Sequence, residues 1–163
     1  MQKVLLAVAA TGLVLLMAGP TDPPSVKEGL WSIHTETITN PTGKKTETSY
    51  TLCRSHAFDD SMRAAEKAMK GCNTVSESLQ NGNYASEIQC KMGSTTVDSK
   101  GTTTYTGDTA THGETQVSYS PAMGGVTGSV IVTDSKYTGA CPDGTVPGDR
   151  TNADGTVIHL AQK

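Results

Sequence analysis

Four cysteines, at positions 53, 72, 90 and 141, constrain the fold of this chain more than any other feature. They follow an N-terminal apolar stretch of the kind that directs export, and export brings a protein into an oxidising compartment. An even number of cysteines in such a protein predicts a disulfide framework. Since no two of them have the C-x-x-C spacing typical of zinc sites, the sequence predicts two disulfides, chosen from three alternative pairings.

The export signal is predicted over residues 1–18, with cleavage after position 18 or 19. Lys3 supplies the positive charge, residues 4–17 are uncharged and mostly apolar, and small residues lead into Pro20. This apolar stretch is short for the ~30 Å hydrocarbon core of a bilayer. Pro20 stands where a lipoprotein has its lipidated cysteine. We therefore expect a periplasmic or secreted protein, soluble after signal cleavage and without a lipid anchor.

A thin hydrophobic core is also predicted. Only 19 of the 145 residues after position 18 are Leu, Ile, Val or Phe, a proportion found in disordered chains. The net charge of −3 is too small to favour disorder, and its sign argues against a nucleic-acid partner. Disulfides would then supply stability that the core lacks.

Threonine-rich segments with alternating apolar residues predict an antiparallel sheet with one wet face. The fold class is mainly β (α+β): a single curved antiparallel β-meander or partly closed barrel of about seven strands, with one helix packed on it. Trp31 and Ile33 share a face of the first strand. The predicted strands cover residues 29–39, 44–53, 73–80, 83–92, 95–106, 114–120 and 126–137.

The rest of the chain divides around this β-rich domain, which we place at 29–141. Residues 20–28 are a Pro-rich, flexible lead-in, and residues 142–163 a loop-rich C-terminal tail. Within that tail, 142–155 is predicted to be loop and 156–161 a last short strand or a loose end.

One helix is predicted over about 56–70, since apolar residues recur there at helical spacing. Ser55 can cap its start, and Gly71 supplies the left-handed residue that ends a helix. The apolar stripe is expected to face the sheet, and it consists of Phe58, Met62, Ala65 and Met69.

The Asn-Gly dipeptide at 81–82 predicts a β-hairpin with a two-residue turn. That turn places Leu79 opposite Tyr84, and Val75 opposite Ile88, two apolar cross-strand pairs.

The same register puts the sulfurs of Cys72 and Cys90 on opposite faces of the hairpin, although both cysteines lie at its open end. A three-residue loop would pair them directly but would spoil the apolar matching. We expect a bulge or an early bend after Gly71 to reconcile the two. Cys72–Cys90 together with Cys53–Cys141 is therefore the favoured pairing.

The polar residues do not form a recognisable catalytic or metal-binding motif. No two histidines stand at i, i+2 or i+4, and no Gly-x-Ser-x-Gly elbow occurs. We expect no catalytic residue, no metal ligand and no cofactor. His34 is predicted to be a solvated strand residue, His56 to make a local contact in the helix, and His112 to lie in a turn.

Several landmarks follow one another along the chain: Gly29-Leu30-Trp31, Cys53 before the helix, Cys72 to Cys90 around Asn81-Gly82-Asn83, Tyr105-Thr106-Gly107-Asp108, and Tyr137-Thr138-Gly139-Ala140-Cys141. Together they resemble domain-of-unknown-function family 3617, small exported proteins of Gram-negative bacteria, over residues 27–143. The resemblance implies export, paired cysteines and a mostly β domain. It implies no activity.

Two functions remain open. The first is a non-catalytic envelope module, structural or binding a partner, either an envelope protein or a small apolar ligand. The alternative is a periplasmic hydrolase or a redox or metal-handling protein whose site is assembled from distant residues. A ligand would lie between the helix and the first strand, where the same residues could instead simply fill the core: Trp31, Ile33, Phe58, Met62 and Met69.

Overall fold

Nine strands form one open antiparallel sheet in the computed structural model, which describes residues 22–160. The order across the sheet is β3-β4-β5-β6-β7-β1-β2-β8-β9. The predicted export signal lies outside the described residues, and within them no helix is long and apolar enough to cross a membrane. The elements are β1 (Gly29–Asn40), β2 (Lys44–Arg54), α1 (His56–Lys67), β3 (Cys72–Gln80), β4 (Asn83–Met92), β5 (Thr95–Thr106), β6 (Ala110–Met123), β7 (Val126–Gly139), β8 (Asp149–Asn152) and β9 (Val157–His159).

The predicted fold class is confirmed, with nine strands where about seven were expected, and β9 lies in 156–161, where a last short strand was one of two alternatives. The segment 142–155, predicted to be loop, contains β8, which pairs with β2 through Tyr50, Thr51 and Leu52. A strand of four residues is too short to show a period, so only its tertiary partner reveals it. The guanidinium of Arg150 in β8 lies 4.0 Å from the centre of the Tyr50 ring and packs the new strand against the sheet.

The core is thin, as predicted, and lies on the face of the sheet that carries Trp31. We call this the inner face. Trp31 is fully buried, and its indole N–H donates to the Lys27 carbonyl at 2.8 Å. Val26, Ile33 and Leu52 complete the buried cluster. Partly buried side chains extend it: Tyr50, Phe58, Tyr105, Tyr137 and Leu160.

Both disulfides have the favoured pairing, Cys53–Cys141 and Cys72–Cys90, and no cysteine is free. A bulge at Val75 reconciles the hairpin register. Between the turn and the bulge, β3 and β4 pair in the register that the two-residue turn predicts. On the other side of the bulge the register is shifted by one residue, so that the two cysteines are direct partners. Of the two predicted alternatives, a bulge or an early bend after Gly71, the structure has the bulge.

The same bulge changes one predicted cross-strand pair. Leu79 lies opposite Tyr84, as predicted, but Ile88 lies opposite Thr74 and not Val75. Val75 is the extra residue, and 53% of its surface is exposed. The prediction for Val75 was wrong because the turn alone cannot indicate where a bulge interrupts the ladder.

Helix α1 begins where predicted and ends three residues early. The Ser55 hydroxyl accepts from the Phe58 backbone N–H, as an N-cap does. The helix ends at Lys67 because the chain must turn, through Gly71 at φ 81°, to bring Cys72 to its partner strand. Met69 is therefore outside the helix and 55% exposed, so its predicted place in the stripe was wrong.

Candidate functional site

A cleft of about 280 Å³ lies between α1 and the inner face of β3, β4 and β5. We call it the helix cleft. The core anchors the first turn of α1 through Phe58, while the second half of the helix crosses over the edge of the sheet. Its lining includes Arg54, Asp59, Met62, Lys67, Cys72, Glu77, Tyr84, Ile88, Thr103 and Tyr105.

The floor of the helix cleft comes from the hairpin register. Tyr84 pairs with Thr103 across β4 and β5, and directly opposed residues of an antiparallel pair point to the same face. Ile88, four residues after Tyr84, lies on that same face. The floor therefore combines aromatic and aliphatic surface with a few hydroxyl groups.

One ion pair fixes the start of α1 beside the helix cleft. The Arg54 guanidinium donates to both carboxylate oxygens of Asp59, each at 3.0 Å. The Arg54 guanidinium carbon also lies 5.0 Å from the centre of the Trp31 ring. Because the pair is bidentate and largely shielded from water, it orients the helix on the core.

A second set of contacts closes the other end of the helix cleft. Lys67 Nζ lies 3.4 Å from a Glu77 carboxylate oxygen and 3.8 Å from one of Asp22. Glu77 also accepts the Tyr84 hydroxyl at 2.8 Å. The end of α1 is thereby tied to β3 and, through Tyr84, to the floor.

The two tyrosines of the helix cleft stay protonated at neutral and mildly alkaline pH. Burial raises the pKa of the Tyr84 hydroxyl, and its hydrogen bond to Glu77 raises that pKa further. Burial also raises the pKa of Tyr105. Both phenols are therefore neutral, but the Tyr84 hydroxyl already donates its single proton to Glu77. Tyr84 can thus only accept a further hydrogen bond, whereas Tyr105 can donate one to a ligand.

This pKa shift predicts a loss of stability in alkali. The pKa of Tyr84 is higher in the folded protein than the value of about 10 in the unfolded chain. The protonated Tyr84 hydroxyl therefore stabilises the fold fully below about pH 10, and this stabilisation is lost as the pH rises from there through the folded pKa. Between about pH 9 and pH 11, the free energy of unfolding of Tyr84→Phe should fall less steeply than that of the wild type. Urea unfolding at each pH measures the free energy of unfolding, and the same dependence on pH in both proteins would contradict the prediction.

A second variant tests the hydrogen bond to Glu77, which raises the pKa of Tyr84. In Glu77→Gln, tyrosinate absorbance should show that Tyr84 ionises at a lower pH than in the wild type.

A second cleft of about 330 Å³ adjoins the first and opens toward the lead-in segment. The two clefts share several walls, among them Arg54, Asp59 and Tyr105. Val26 and His56 line only the second, and its lining is mostly polar. The His56 ring lies 2.9 Å from the carbonyl of Val26, 30 residues away in the chain, so this histidine contacts the lead-in segment and not, as predicted, its own helical turn.

The predicted ligand-facing residues divide into two groups. Trp31 and Ile33 are buried and Phe58 packs against them, so these three fill the core. Met62 lines the helix cleft, whereas Met69 does not. A cleft thus lies beside the predicted helix, but its floor is β3–β5 and not the first strand. The sequence could not indicate this, because the bulge and the short helix decide which strands lie beneath α1.

Two other histidines, His34 and His112, lie on either side of one strand and share Asp134 as their cross-strand partner. His112 lies in β6, not in the predicted turn, and its ring Nδ1 is 2.7 Å from an Asp134 carboxylate oxygen. That hydrogen bond raises the pKa of His112. Asp134 is also the cross-strand partner of His34. We call His34, Asp134 and His112 the outer-face row. These residues are far apart in the sequence, so their proximity is evident only from the strand pairing.

Fold and cleft together define a class: a small β-domain with one open antiparallel sheet, a single helix over one face, and two disulfides. The chain belongs to the family described as protein of unknown function, DUF3617, whose model matches residues 26–141. The matched region begins at a core residue and ends at Cys141, so it contains α1, β1–β7 and both disulfides. The family resemblance is confirmed. No curated protein matches the chain.

Proposed function

We propose that this chain is an exported, non-catalytic envelope module that binds a small, largely apolar ligand in the helix cleft. The helix cleft itself carries the proposal. Ligand sites are concave and mostly apolar, with a few placed polar groups, and they begin near 300 Å³ in volume. The floor offers Tyr84, Ile88 and Tyr105 as apolar surface, and Met62 adds an adaptable side chain from the helix.

The charges around the helix cleft favour binding over catalysis. Arg54 is paired with Asp59, and Lys67 with Glu77, so these four groups hold the helix in place. The Tyr105 hydroxyl can then donate a hydrogen bond to a ligand, and the Tyr84 oxygen can accept one. Export is supported by the pairing of all four cysteines, since structural disulfides persist in oxidising compartments. We place the protein in the periplasm or outside the cell.

The proposal predicts that filling the helix cleft abolishes binding. Thr103→Trp places a large ring on the floor, whereas Thr104→Trp places the same ring one residue later on the opposite face. The neutral apolar dye N-phenyl-1-naphthylamine should gain fluorescence with the wild type and Thr104→Trp. It should gain little with Thr103→Trp, provided that circular dichroism shows all three folded. Equal fluorescence from the two variants would refute the site.

Native mass spectrometry of protein recovered from the exported fraction tests the ligand directly. We expect a small bound molecule on the wild type that is missing from Thr103→Trp, and a chain that begins at residue 19 or 20. If a protein is bound instead of a small molecule, the proposed ligand is wrong and the module binds an envelope protein. A chain that begins at Met1 would overturn the export proposal.

A further inference from the structure

Two clefts of different character meet beside α1. The floor of the helix cleft offers aromatic and aliphatic surface, whereas the adjoining cleft of about 330 Å³, which we call the polar cleft, has a mostly polar lining. Arg63, Thr103 and Tyr105 line both clefts. Each cleft alone is near the lower end of the range of about 300–1,000 Å³ for ligand sites. Because they share walls, one molecule can extend from the first into the second.

The charged side chains of the polar cleft neutralise one another. Its lining contains two arginines and two aspartates. Arg54 donates to both carboxylate oxygens of Asp59, and Arg63 donates to the carboxylate of Asp60. A charged ligand group would find each of these four charges already paired, and an unpaired charge is costly to remove from water. The lining therefore disfavours both an anionic and a cationic ligand group.

Hydroxyl groups supply most of the other polar side-chain atoms of the polar cleft. They belong to Ser25, Thr103, Tyr105 and Thr111. Thr111 lies directly opposite Tyr105 in the β5–β6 ladder, so these two side chains share the inner face of the sheet. A hydroxyl group can both donate and accept a hydrogen bond. This set of groups suits an uncharged ligand group that carries hydroxyls of its own.

The lead-in segment forms a fixed wall of the polar cleft through residues 24–26. The Val26 side chain is buried in the core, and the Val26 carbonyl lies 2.9 Å from the His56 ring. The backbone N–H of Lys27 donates to the Asp108 carbonyl at 2.8 Å. The wall is therefore in place before a ligand binds, which lowers the entropic cost of binding.

We infer that the ligand is a nonionic amphiphile, with its apolar chain in the helix cleft and an uncharged, hydroxyl-bearing head in the polar cleft. The inference rests on the proposed function, since it keeps the helix cleft as the site of the apolar part. Tyr105 stands at the junction, because it lines both clefts. Its ring can pack against the chain, and its hydroxyl can donate a hydrogen bond to the head.

Calorimetric titration of the exported chain with octyl amphiphiles, below their critical micelle concentrations, tests the inference. The probes are octyl glucoside, octanoate and octylammonium, which share one chain and differ in the charge of the head. We expect octyl glucoside to bind at least about tenfold more tightly than either charged probe, since an unpaired charge is costly to desolvate. Thr111→Trp fills the polar cleft and should lose most of the octyl glucoside affinity. Thr104→Trp, on the opposite face of the sheet, is the matched control and should keep it.

A charge variant tests why the head is uncharged. Asp60→Asn removes the carboxylate partner of Arg63 and leaves that arginine able to pair with an anionic head. The affinity for octanoate should rise about two- to fivefold, as expected for a partly exposed ion pair. Glu36→Gln is the matched control, because it removes a partner of Lys45 on the opposite face of the sheet. It should bind octanoate as the wild type does.

Three results would overturn the inference: octyl glucoside that binds no more tightly than octanoate, equal affinities in Thr111→Trp and Thr104→Trp, or an octanoate affinity that Asp60→Asn leaves unchanged. The dye N-phenyl-1-naphthylamine reports on the helix cleft separately. If the dye binds but octyl glucoside is not preferred, the nonionic head is refuted and the proposed function stands. If the folded wild type binds neither, both are refuted.

Discussion

Replacing Trp31 with alanine is expected to lower the free energy of unfolding by about 3–5 kcal/mol. Trp31 is the largest fully buried side chain, and it contacts the Tyr137 ring edge-on at 6.2 Å between centroids. Among residues 22–160 the buried cluster around it consists of Val26, Ile33 and Leu52, too few neighbours to close the cavity that alanine leaves. The indole N–H bond to Lys27, which pins the lead-in segment, is lost as well.

Urea unfolding followed by far-ultraviolet circular dichroism measures this loss, since Trp31 is the only tryptophan and its fluorescence disappears with it. Trp31→Phe should retain more of the stability, because a ring still fills part of the space. Met69→Ala, at an exposed site, should change the free energy by no more than about 0.5 kcal/mol. Similar losses for Trp31→Ala and Met69→Ala would show that the core does not depend on the tryptophan.

The double substitution of Cys53 and Cys141 by serine is expected to cost about 4–5 kcal/mol. This disulfide closes a separation of 88 residues, whereas Cys72–Cys90 closes only 18. In the chain-entropy description, the longer loop loses more freedom when it is closed in the unfolded state. Cys53 is also 2% exposed, so serine would place a hydroxyl in the core.

The matched control is the double serine variant at Cys72 and Cys90, for which the same description gives about 3 kcal/mol. Both variants should unfold at a lower temperature than the wild type, and the Cys53 and Cys141 variant should be the less stable of the two. A larger loss of stability in the Cys72 and Cys90 variant would mean that the disulfide within the hairpin stabilises the fold more than the one that closes the long loop. Thermal unfolding with circular dichroism distinguishes the two outcomes.

Much of the fold was accessible from local patterns. The Asn-Gly turn predicted the β3–β4 hairpin, and the conflict between its register and the cysteine positions predicted a bulge or an early bend. Ser55 and the apolar spacing located the helix start. These features depend on contacts between residues close in sequence, for which turn geometry and side-chain period are sufficient.

The candidate sites were less accessible, because each depends on pairings between distant segments. Tyr84 and Thr103 meet through the β4–β5 register, and no sequence period marks them as the floor of a cleft. His34 and Asp134 are 100 residues apart in the chain, yet they are direct neighbours across β1 and β7. Neither residue forms a local ligand motif with its own strand neighbours.

The sequence by itself determined a threonine-rich antiparallel sheet, one capped helix and two disulfides that compensate for a thin core. The alternation of apolar and polar residues, the helix-capping residue and the number of cysteines are local or compositional features, so the sequence alone shows them. Only the tertiary structure decided where β1 inserts beside β7, which strands lie beneath α1, and which polar residues share the outer face. Those choices depend on the register of long-range strand pairs, in which a shift of one residue turns every side chain to the opposite face.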